Sequence, residues 1–154
     1  MNNNTDIFKL HNCIMDRIFI DEQQEYIVGL DINNTIYAVK LNPYEGTILT
    51  FVDSGCFGSA HIHTIHQVLL KFNKNIGYTL SRVIIEAKYG DVFYCRLHWA
   101  SDREGVKDIY NIIGLGDALI LASISEADIA ITDFVLQQLE TIDSDGGFMH
   151  IYED

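Results

Sequence analysis

Two runs of β-branched and aromatic residues, Ser81–Lys88 and Val92–Trp99, flank a short Tyr-Gly-Asp connection at residues 89–91. Such runs around a glycine-containing turn spell a β-hairpin. Whatever this chain folds into has to seat that hairpin in a sheet, and the segments on either side say what kind.

Upstream, Ile14–Ile20 and Tyr26–Asp31 are β-leaning stretches separated by the polar Asp21–Gln24, and Thr35–Leu41 follows a turn at Ile32-Asn33-Asn34. The sole proline, in Asn42–Gly46, marks a further turn before Thr47–Val52, so the first third is expected to be an antiparallel meander. Two glycines in Asp53–Ser59 break the pattern. A helix follows, with Ile65, Val68, Leu69 and Phe72 at helical spacing and Gly77 suited to its termination.

Downstream, Ser101–Gly105 turns the chain into a strand over Val106–Ile113. A short, nearly all-apolar and therefore buried helix spans Ala118–Ser123, and Asp128–Ile131 is a brief strand. Thr132 or Asp133 can cap a last helix over Phe134–Glu140. The order predicts an α+β fold with a mixed, largely antiparallel sheet and about three helices. Leu69, Val83, Ile85, Phe93 and Leu97 are expected in its core.

At 154 residues, 48% hydrophobic and 21% charged, the chain has the size and composition of one globular domain. No apolar run approaches the roughly 20 residues of a membrane helix, and the first ten residues lack the basic start and apolar stretch of a secretory signal. Three cysteines without paired spacing fit free thiols. These features predict a cytoplasmic protein with no membrane partner. The net charge of −12 is spread along the chain and repels phosphate backbones. The cations around the hairpin, Arg82, Lys88, Arg96, Arg103 and Lys107, read as a solvated face.

Four segments, Ile65–Leu70, Ser81–Trp99, Gly114–Ala122 and Asp128–Leu139, together resemble the bifunctional nuclease (BFN) domain family. In that family the corresponding stretches read roughly Thr-His-Asp-Leu-Leu, two strands, Arg-Pro-Ser-Asp-Ala opening a helix, then a strand leading to a last helix. The resemblance implies the α+β architecture, a domain over residues 13–141 between an N-terminal extension (1–12) and an acidic C-terminal tail (142–154), and hydrolysis of DNA or RNA phosphodiesters. It singles out His66 and Asp117 as the retained catalytic positions. Around them the chain departs from the pattern: Gln67 replaces the aspartate after the histidine, and Ile112, Gly114, Leu115 and Gly116 stand where the family has Asp, Arg, Pro and Ser. Lost with those are a carboxylate for metal work and a guanidinium for phosphate.

Other site readings come from the residues themselves. His61, His63 and His66 in His-Ile-His-Thr-Ile-His could hold a divalent metal such as zinc with an open position, or could satisfy helix-start hydrogen bonds or lie in solvent. Asp117, after two glycines and before an apolar helix, suits an N-cap. His66 likewise suits a helix cap. The segment Gly114–Ala118 lacks both the dinucleotide-binding and phosphate-loop patterns. Two functions follow: a divergent nuclease acting through His66 and Asp117 on nucleic acid, or a non-catalytic interaction or regulatory module working as a homodimer.

Overall fold

A computed structural model of the chain describes residues 9–54 and 64–142. The described residues form eight strands and four helices: β1 (Leu10–Ile20), β2 (Tyr26–Ile32), β3 (Thr35–Leu41), α1 (Pro43–Asp53), α2 (Ile65–Asn75), β4 (Tyr78–Tyr89), β5 (Val92–Ser101), β6 (Ile109–Ile113), α3 (Leu115–Ser125), β7 (Asp128–Thr132), α4 (Asp133–Leu136) and β8 (Glu140–Thr141). One mixed sheet runs in the order β6-β5-β4-β7-β1-β2-β3-β8. Only the β4–β7 pairing is parallel among the pairings of the described residues. The expected α+β class and largely antiparallel sheet are therefore found.

Local chemistry explains the connections. Asn33 and Asn34 both take positive φ, 53° and 67°, the two left-handed positions that a tight hairpin turn requires, and Ile32 pairs with Thr35 across it. The β4–β5 hairpin turns at Gly90, with φ of 60°, and reaches from Tyr78 opposite Ser101 to Tyr89 opposite Val92. Two register shifts, at Leu80/Arg82 and Ile85/Ala87, bend it.

The expectation of a strand over Thr47–Val52 is overturned: these residues belong to α1. Their β-branched and aromatic content favours extended backbone, but the residues before them nucleate a helix. Asn42 accepts from the Glu45 N–H at 2.8 Å and Glu45 returns the contact to the Asn42 N–H, a complete capping box, with Pro43 at the first position. Leu49 on this helix is fully buried. The last helix is also shorter than the sequence pattern predicts, ending at Leu136, because Glu140–Thr141 leaves to pair with β3. Thr132 caps it, as expected.

The core joins β2, β4 and β5 to α3, whose residues from Leu119 to Leu121 are fully enclosed. Val83, Ile85 and Leu97 are buried as expected and Phe93 packs partly against them, but Leu69 is 37% exposed. The reason lies in how α2 is turned. His66 is its buried residue, so the apolar stripe Ile65, Val68, Leu69 and Phe72 lies about a third of a turn around the helix from the side that packs inward. Cys13 and Cys95 are buried free thiols, each pushed up to about 12, first by burial and then by a nearby carboxylate, Asp31 and Glu86 respectively. No helix among the described residues is long and apolar enough to cross a membrane.

Candidate functional site

α2 and α3 pack against each other and against β4, which sets their N-terminal turns side by side. From α2 comes His66, 4% exposed; from α3 comes Asp117, whose side chain is 44% exposed. Nε2 of His66 stands 2.8 Å from Oδ1 of Asp117. A carboxylate accepts, so Nε2 of His66 carries the proton and donates to Asp117, bracing the half-exposed carboxylate from its buried side.

Neither residue is the helix cap that its sequence position suits. Thr64 caps α2, accepting from the Gln67 N–H at 3.3 Å, so His66 lies in the first turn and is free to point inward. Gly114 is the N-cap of α3 and offers no side-chain cap. Asp117 is three residues further on, where its backbone is already helical and its charge complements the helix dipole.

A third group reaches this turn that the sequence pattern did not reveal. Glu45 of α1 lies against Gly116: a β-carbon built there would meet Oε2 at 2.0 Å and Cδ at 2.1 Å. The loss of a side chain at position 116, where the family pattern has serine, is thus filled by a carboxylate from another element. Only the folding of α1 as a helix brings it there, and the segment's β-leaning composition concealed this.

Two buried acceptors adjoin the pair. Nδ1 of His66 and Oε1 of Gln67 have no hydrogen-bond partner among the described residues. Both could serve a cation or a donor ligand. Yet no group of three His, Cys, Asp or Glu side chains among the described residues converges to hold a metal. His61 and His63, the other expected ligands, lie outside the described residues, as does Cys56. Among the described residues alone, no metal site is complete.

The cations near the hairpin are mostly engaged elsewhere. Arg96 grips Glu86 through two bonds, of 2.7 and 2.8 Å, and lies over the Tyr110 ring; Lys88 donates to the Gly90 carbonyl. A groove of about 540 Å³, lined among others by Lys40, Lys88, Phe93 and Glu140, includes neither His66 nor Asp117.

Against this geometry the comparison with known families is decisive. The model of the Bifunctional nuclease domain matches residues 60–143, more than half of the chain and the stretch that contains both His66 and Asp117. The chain belongs to the bifunctional nuclease domain family. No curated protein matches it at a significant level. Within this bifunctional nuclease domain the match begins just before α2 and ends beyond β8, so α1, with Glu45, lies outside the matched stretch.

Proposed function

We propose that this bifunctional nuclease domain hydrolyses nucleic-acid phosphodiesters at the His66–Asp117 pair. The observation that carries the reading is the 2.8 Å bond joining two residues 51 positions apart, on different helices, both at positions where the family pattern places its own histidine and aspartate. Asp117 has the exposure to take a proton from an attacking water. His66 is a positioning residue: its N–H fixes one carboxylate oxygen and leaves the other for the water. Asp117 stands in the first turn of α3, where the positive end of the helix dipole favours charge growing on nearby phosphoryl oxygens. The half-exposed position of Asp117 fits an extended polymer laid on the surface.

The test is a cleavage assay on single-stranded DNA, duplex DNA and RNA, with magnesium, manganese, zinc or chelator. Asp117→Asn is expected to lower the rate by about 10²–10⁴-fold, the usual range for loss of a general base, with far-ultraviolet dichroism unchanged. His66→Ala is expected to lower kcat more than it raises KM, since the carboxylate remains but loses its orientation. Cleavage that survives in both folded variants would sink the assignment.

A second reading is a non-catalytic homo-oligomeric interaction or regulatory module, and two observations favour its lack of catalysis: Glu45 holds negative charge against the turn that phosphate would approach, and Gly114 stands where the family pattern has an arginine. Absence of cleavage under every metal condition would select it.

A further inference from the structure

The face of β4, β5 and β6 turned away from α3 carries a run of rings. Along β5 the buried Cys95, Leu97 and Trp99 point into the core under α3, so Tyr94, Arg96 and His98 alternate onto the opposite, outer face. Cross-strand register extends that face both ways. Tyr110 of β6 stands opposite His98 and Ile112 opposite Arg96, while β4 sets Arg82 and Ile84 opposite the same two residues.

The rings fall into two groups. His98 and Tyr110 are stacked, their centroids 4.6 Å apart and their planes 11° apart, and the Arg96 guanidinium lies 6.0 Å over Tyr110. Four residues along β5, about 13 Å at the rise of a strand, Tyr94 meets Tyr89 edge-on at 5.7 Å, and Tyr89 in turn leans on Phe134 at 6.3 Å. Neighbouring rings thus hold Tyr89, Tyr94 and Tyr110 in place, yet all three remain exposed. The charges of this face are settled among themselves: Glu86 takes both bonds of Arg96, and Asp108 accepts from the His98 ring at 2.7 Å and from the Ser101 N–H at 2.9 Å. Arg82 is left without an ion pair among the described residues, and Asp128 stands opposite it on β7.

We propose that this outer face is a stacking platform for the unpaired bases of single-stranded nucleic acid. Aromatic rings and arginine planes on a sheet suit any sequence, because every base has a π-face. The charge selects single strands over duplex. A duplex keeps its bases stacked on one another and has to be held through its phosphates, and on a chain of −12 this face offers two arginines, one of them already gripped by a carboxylate. An unpaired strand instead brings bases to the rings and needs few phosphate contacts. The platform also ends near the cleft between the helices: β6 runs directly into α3, and Asp117 follows Ile112 by five positions, so a strand passing over the end of β6 reaches the His66–Asp117 pair. That link to cleavage rests on the function proposed above, whereas the binding does not.

Fluorescence anisotropy of a labelled single strand of roughly 16 nucleotides, titrated with the full chain in chelator, tests the platform without turnover. The single strand should bind at least about tenfold more tightly than the same sequence as a duplex. Tyr94→Ala and Tyr110→Ala should each weaken binding about tenfold, the worth of one stacked base, while Tyr94→Phe and Tyr110→Phe should keep it, since stacking needs the ring and not the hydroxyl. Tyr44→Ala, at an exposed tyrosine on α1, should leave it unchanged. In an active nuclease Tyr110→Ala should raise KM for single strands and spare kcat; in a chain that cleaves nothing, the anisotropy series decides alone. No binding in the micromolar range, equal affinity for duplex, or alanine variants that bind like the wild type overturn the proposal.

Discussion

At the scale of single residues, two glycines mark the closest approaches in the helical layer, and they should respond differently to the same substitution. A β-carbon at Gly46 would sit 2.0 Å from Cγ and 2.4 Å from Cβ of Tyr26, atoms that cannot move without the strand. At Gly116 it would meet the far end of Glu45, which can swing away at the cost of its capping bond to Asn42. Gly46→Ala is therefore expected to destabilise by about 1–3 kcal/mol, the overpacking range, and Gly116→Ala by about 1 kcal/mol, the worth of a cap. Chemical denaturation of the two variants checks the order. If Gly116→Ala costs less in an Asn42→Ala background, the loss runs through the capping box; if the two substitutions add, it does not.

At the scale of elements, legibility followed local signals. The β4–β5 hairpin was readable because strand propensity, alternation and a glycine turn agree there. Thr47–Val52 was not, because side-chain propensity pointed to a strand while the capping box of Asn42 and Glu45, with Pro43 between them, pointed to a helix, and the cap prevailed. Of the candidate site, His66 and Asp117 were visible through their family positions, but no local pattern reports a bond between residues 51 apart, and Glu45 was hidden behind the misread segment. The stripe on α2 shows the remaining ambiguity: helical periodicity finds the apolar face without saying whether the domain's own core or another surface receives it. Leu69 and Leu119 separate these cases. Leu119→Ala removes a fully enclosed side chain and should cost about 2–5 kcal/mol, whereas Leu69→Ala, on a face already open to solvent, should stay below about 1 kcal/mol for a folded monomer. Equal losses in urea midpoints would mean that α2 is turned the other way.

At the scale of the whole molecule, a body of −12 has a distinctive dependence on salt wherever it meets nucleic acid. Such a body repels a phosphate backbone over distances that salt shortens, from about 30 Å at 0.01 M to about 8 Å at physiological strength. Added salt therefore screens a repulsion here, whereas in a basic nucleic-acid-binding protein it weakens an attraction. Binding of a single-stranded oligonucleotide to the Asp117→Asn variant should therefore lose little affinity between about 50 mM and about 200 mM salt, where a protein making many phosphate contacts loses affinity steeply. A steep loss across that series would mean that lysines and arginines gather at the substrate surface despite the net charge.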